Sequence, residues 1–188
     1  MRSVQKRVNI RMTRAHRTIS YWASTVLANR PPLRLVIECR NWLYRFKNRK
    51  TLVWGSNSRT GCSSQDKKEL ETLFDIKIHA IWQHEWENCG VSTWTREVVP
   101  RVPDMGCSVI KVNFYLSQGL TEHGAFGTYL KSIRKLPNDT CRCGRNKQSA
   151  AHVFKEWSRY NEGRPETWEW TEKVRRYLIS TMIKLWRE

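Results

Sequence analysis

Acidic residues are almost missing from the first quarter of this chain. Residues 1–50 carry 13 Lys/Arg against the single acid Glu38, and the first 37 residues contain no acid at all; the whole chain of 188 residues has 34 Lys/Arg, 17 Asp/Glu and a formal net charge of +17. A domain this one-sided repels itself unless an anion neutralises it, which points to a nucleic-acid backbone or an anionic membrane face. Long apolar runs are also missing. Nothing approaches the ~20 residues of a spanning helix, so no membrane partner is expected. No secretory segment, internal repeat or low-complexity tract stands out. The six cysteines therefore read as thiols of a reducing, intracellular compartment and not as a disulfide framework. Of these, Cys39, Cys62, Cys89 and Cys107 have no ligand-like spacing. The basic, acid-free start also fits a mitochondrial transit peptide, but its periodicity is that of a folded helix.

Apolar residues at Val4, Val8, Met12, Ala15, Ile19, Trp22, Ala23 and Val26 predict one long helix from Ser3 to Asn29, with Arg7, Arg11, Arg14 and Arg17 on its other side. Pro31 and Pro32 end it. Leu33, Val36, Ile37, Leu43 and Tyr44 predict a second helix to about Lys47, folding back as a helical hairpin. Residues 55–65 are small and polar and read as a linker. Leu70, Phe74, Ile78, Ile81, Trp82 and Trp86 predict a further helix, stopped at Asn88 to Gly90. Val112, Phe114 and Leu116 alternate with polar neighbours and predict a short strand. Phe126, Tyr129, Leu130 and Ile133 fit a short helix. Pro165 to Thr167 is expected to open a last one that buries Trp170, Val174, Leu178, Met182 and Leu185. The class is mainly α.

The chemistry concentrates in Cys141-Arg142-Cys143-Gly144, followed by His152. Two thiols one residue apart grip one ion only across a sharp turn, for which Gly144 supplies positive-φ freedom. Ser149 can cap the helix that carries His152 and Glu156 on one face. Trp157 stands where a fourth zinc ligand would complete the set, so zinc is expected to bind weakly or not at all. Glu156 is a doubtful replacement. Most of the ten tryptophans should be core, with Trp54, in basic surroundings, a candidate for stacking on a base. His123 has no recognisable catalytic partners, and no catalytic residue is assigned.

In order along the chain, Arg14, Arg17, Thr18, Ser20, Pro32 and Leu33, then Trp82-Gln83-x-x-Trp86 with Trp94 and Pro100, then Gln118-x-Leu120-Thr121-x-His123-Gly124-x-Phe126-x-x-Tyr129-Leu130, and finally the Cys/His stretch resemble one family. It is the R1/jockey-like group of non-LTR retrotransposon polyproteins, in the region after the reverse-transcriptase palm. The resemblance covers about residues 2–160. It implies a thumb-like basic hairpin (1–54), a linker (55–65), a helical connection (66–137), a zinc-knuckle-like module (138–160) and a C-terminal helix (161–188). It also implies a nuclear location, RNA or DNA as partner, and packing against the missing polymerase palm. Two departures mark a truncated or degenerate copy: the family's Thr-Gly-His-Gly has Glu122 at its first glycine, and its last cysteine is Trp157. The family is an RNA-directed DNA polymerase, but its catalytic aspartates lie upstream, so no polymerase chemistry is expected from this chain alone. The expected role is to hold template RNA or target DNA without sequence readout, through Arg7, Arg11, Arg14, Arg17, Trp54 and the Cys141–His152 module. A small structural protein of a ribonucleoprotein and a host-retained interaction module are the alternatives.

Overall fold

In a computed structural model, residues 1–49, 51–54, 57–60, 64–103 and 112–187 are described. The first long helix predicted from sequence is two. Helix α1 (Arg2–Thr13) stops where Arg14 enters the left-handed region at φ 53°, and α2 (Tyr21–Leu27) starts afresh at Ser20, whose Oγ accepts the Ala23 N–H at 3.0 Å. The 3.6-residue period runs through residues 14–20 without a gap, so the pattern hid both caps. Ser20 is a good N-cap residue.

The face of α1 that is buried is not the apolar one. Gln5, Asn9 and Thr13 point inward, while Val4, Val8 and Met12 stay exposed. Gln5 is a polar hub: its Nε2 donates to Pro31 O at 2.7 Å, and its Oε1 accepts the Tyr21 hydroxyl and the Leu33 N–H, both at 2.8 Å. It thereby satisfies backbone groups at the Pro31-Pro32 corner, which an apolar residue could not do. Asn9, fully buried, has no side-chain hydrogen-bond partner among the described residues.

Helix α3 (Leu33–Arg49) follows as expected, but the hairpin with the first helix is not borne out by the main packing. Helix α1 packs on α2, and α3 packs on α4 (Ser64–Glu87). Within the expected linker, residues 57–60 form β2 (Asn57–Thr60), which pairs antiparallel with the preceding β1 (Thr51–Trp54), Thr51 opposite Thr60. Helix α4 buries Leu70, Phe74, Ile78, Trp82 and Trp86, the stripe read from sequence. Trp82 donates to Thr25 Oγ1 and Trp86 to Val99 O, while Gln83 grips the following loop through Pro100 O and the Val102 N–H. The Trp-Gln-x-x-Trp residues are thus core and clamp.

The predicted strand at Val112–Leu116 is a correction. Phe114–Thr121 forms helix α6, because Asn113 Oδ1 caps it by accepting the Leu116 N–H at 2.8 Å and because Leu116 and Leu120 are buried one turn apart. Alternation over five residues fits either period, and the cap decides. The short helix α5 (Thr93–Val98) is tied to α6 by Trp94 Nε1 and Thr95 Oγ1, which donate to Gly119 O and Leu120 O. Helix α7 (Gly127–Ser132) matches expectation. The last helix, α8 (Glu172–Trp186), begins later than Pro165; Thr171 Oγ1 caps it by accepting the Val174 N–H. Its Val174, Leu178, Met182 and Leu185 are buried as predicted, against α6, whereas Trp170, expected on the same side, precedes the helix and is half-buried. Phe154 lies at the centre, stacked 5.7 Å from Trp94 and edge-on to Phe126 and Tyr177. No helix among the described residues is long and apolar enough to cross a membrane. The four described cysteines are free thiols; Cys62 and Cys107 lie outside the described residues.

Candidate metal centre

The cysteine turn is built from its own backbone. Thr140 bridges to Lys147, the Cys141 N–H donates to Asn146 O at 2.8 Å, the Gly144 N–H donates to Cys141 O at 2.9 Å, and Gly144 takes the φ of +74° that the sequence suggested. Ser149 caps the next helical turn by accepting the His152 N–H at 3.2 Å. That turn is a π turn, His152–Glu156, closed by the Trp157 N–H on His152 O at 2.9 Å. Such turns are rare and concentrate at functional sites.

Ligand atoms of Cys141, Cys143 and His152 lie within 4.8 Å of one another, so the three form a group that can hold a metal ion. The imidazole presents Nε2 to Cys143 Sγ at 3.2 Å and gives Nδ1 to Glu156 Oε2 at 2.9 Å, which Asn146 Nδ2 also holds at 3.0 Å. Glu156 therefore sits behind the ring, on the nitrogen away from the thiols, as a carboxylate does when it orients a metal-binding histidine. The sequence placed Glu156 near His152 but not on which side of it, and missed Asn146 altogether. Trp157 is turned into the core, its ring parallel to that of His152 at 6.3 Å and edge-on to Tyr160 at 5.1 Å.

Burial pushes the Cys141 thiol up to about 11. Backbone N–H donation from Arg145 leads the causes that bring Cys143 down to about 7. Desolvation opposes protonation of His152, yet Glu156 and Cys143 together raise it; its hydrogen bond to the imidazole lowers Glu156 in turn. The two shifts run in complementary directions, toward thiolate at Cys143 and toward the protonated ring at His152, across the 3.2 Å contact of Nε2 with Sγ.

A second cluster stands beside this module. Glu122 adopts φ 60°, a conformation that glycine takes without strain, and its Oε1 accepts the Ala150 N–H at 2.9 Å. The tether offsets the roughly 1 kcal/mol that a left-handed non-glycine residue costs. His123 is bonded to backbone, Nδ1 to Thr121 O at 2.5 Å, and its ring meets His16 at 6.2 Å and Tyr129 at 4.7 Å. No spacing rule could have paired His16 with His123 across more than a hundred residues.

Burial is the leading cause holding both His16 and His123 below the usual imidazole value, with Gln118 opposing it at His16 and the Thr121 carbonyl opposing it at His123. A lowered folded pKa means that the unfolded chain takes up the proton first. Stability from these two groups is complete above their ordinary value near 6.5 and falls as pH drops through it toward the folded value. His152, raised, contributes with the opposite sign, so the comparison of variants is the test: from pH 7.5 down to 5.5 the urea midpoint of His123→Asn should rise relative to that of the parent.

Arg7, Arg11, Arg14 and Arg17 are all exposed, but only the first two share a helix; the row ends with α1 at Arg14. The Trp54 side chain lies outside what is described.

No protein-family model matches this chain, and no solved structure matches it. One curated relative does: a retrovirus-related Pol polyprotein from type-1 retrotransposable element R1 4 of Nasonia vitripennis, 23% identical over 170 residues, covering 88% of this chain and 43% of that protein. The chain thus spans less than half the length of the relative, and the similarity supports an origin in a retrotransposon polyprotein.

Proposed function

We propose that this chain is a nucleic-acid-binding part of a retrotransposon reverse-transcriptase polyprotein, from the region after the palm, and that it holds template RNA or target DNA without reading sequence. The observation that carries this is the Cys141–Cys143–His152 cluster, ordered by Glu156 and Asn146, in a chain of net charge +17 whose similarity runs to an R1 Pol polyprotein. The donor set suits zinc: two sulfurs and an imidazole whose Nδ1 is engaged by Glu156 and whose Nε2 faces the thiols. Zinc would supply a fixed, thiolate-rich clasp, and the chain's own part is to orient His152 through Glu156. Trp157 offers no fourth ligand, which makes the site weak. Arg7, Arg11, Arg14 and Arg17, all exposed, would lie against phosphates, contributing affinity and no base readout.

Fluorescence titration of a labelled single strand at several salt concentrations tests this. Neutralising four phosphates of a single strand sets a log–log slope of about −3, and Arg7→Gln with Arg11→Gln should reduce its magnitude by about 1.5. An affinity indifferent to salt would sink the proposal.

A further inference from the structure

Between the α1–α2 connection, the start of α5 and the end of α6 lies a cleft of about 530 Å³, lined by thirteen residues. That volume falls within the range for one small ligand. Nine of the thirteen carry a hydroxyl and one, Glu122, is an acid. With its Oε1 committed to Ala150, this lining suits neither a cation nor an apolar ligand.

Four of these hydroxyls form two pairs, while those of Thr95, Thr121, Thr128 and Ser132 donate to backbone carbonyls. Ser20 Oγ and Ser92 Oγ are 2.7 Å apart, and Thr18 Oγ1 and the Tyr129 hydroxyl 3.2 Å. In each pair one O–H is used on the other oxygen, so one O–H per pair is left to donate outward, whichever way the bond runs. Ser92, like Glu122, is held in the left-handed region, at φ 58°. Strained residues of this kind persist where the surroundings over-determine them, and they cluster at ligand sites. Beside the hydroxyls stand the rings of His123 and Tyr129, packed against one another at 4.7 Å and against His16 behind them, and the charge of Lys6 is among the causes that disfavour protonation of His123. Neutral donors, a nearby cation and stackable rings together suit an anionic, hydroxylated ligand bearing a planar base.

We propose that this cleft seats one nucleotide of a bound single strand, its phosphate and sugar on Thr18, Ser20 and Ser92 and its base against Tyr129 and His123. The proposal rests on the reading of the chain as a nucleic-acid binder, and adds a specific seat to the diffuse contact of the arginines.

Adenosine 5′-monophosphate is the probe, read by NMR of the His123 ring and by its dissociation constant, in parallel with a ten-nucleotide adenine strand. The nucleotide should shift the His123 signals. Ser92→Gly, which removes the hydroxyl and suits the positive φ, should weaken it about tenfold without lowering the melting temperature, and Tyr129→Ala should do the same to affinity. Unmoved His123 signals, or a Ser92→Gly chain that binds the nucleotide as the unaltered one does, would overturn the cleft. If the strand still bound with its full salt slope in that case, the arginine contacts would stand and the cleft alone would fall. A strand that did not bind at all would refute those contacts instead.

Discussion

Trp157→Cys should lower the stability of the metal-free chain by about 3–5 kcal/mol, the usual cost of emptying a large aromatic site, and zinc should then reverse much of the loss. From spacing alone the substitution looks like simple repair, since it restores a fourth thiol after His152. The structure adds a cost, because the Trp157 ring is buried between His152 and Tyr160. Zinc that binds only the folded state would contribute about 2.7 kcal/mol at a free concentration one hundred times its dissociation constant. The melting temperature of the variant should therefore start below that of the parent and rise more steeply with zinc. Cobalt should give the intense colour of a thiolate-rich tetrahedral site in the variant and a weaker one in the parent. A variant whose melting ignores zinc would show that position 157 does not face the open corner, and would remove the knuckle interpretation.

The second large effect belongs to Gly124→Ala. Gly124 has φ +105°, and a Cβ built there would stand 1.7 Å from Gln118 Oε1 and 2.6 Å from its Cδ. Gln118 has nowhere to go: it is fully buried, and its Oε1 accepts the Trp186 Nε1–H at 2.9 Å. Backbone strain of roughly 1–3 kcal/mol and overpacking of similar size should add. Chemical denaturation should show a loss of at least about 2 kcal/mol by these terms. Near-neutral behaviour would mean that the His123-Gly124 turn is not built as described. The Gln-x-x-Thr-x-His-Gly residues thus lock one another: Thr121 O takes His123, Gly124 makes room for Gln118, and Gln118 receives the end of α8.

Several features set by near neighbours were read correctly. The stripe from Leu70 to Trp86, the buried side of α8, the Ser149 cap and the Gly144 turn each depend on neighbours within a few positions. The misreadings share a cause. Val4, Val8 and Met12 have the period of a buried stripe, but burial went to Gln5, Asn9 and Thr13, because the Pro31-Pro32 corner and Tyr21 needed a polar partner. Val112, Phe114 and Leu116 alternate like a strand, but the Asn113 cap and the surface offered by α8 made a helix.

Charge asymmetry, helical class and the Cys-x-Cys…His spacing follow from composition and order alone, since each is a property of the chain before it folds. The position of Glu156 behind the imidazole, the meeting of His16 with His123, and the hydroxyl-lined cleft depend on elements brought together from distant parts of the chain. Periodicity shows that a face exists, whereas which face is covered, and what it covers, depends on the partner that packs there.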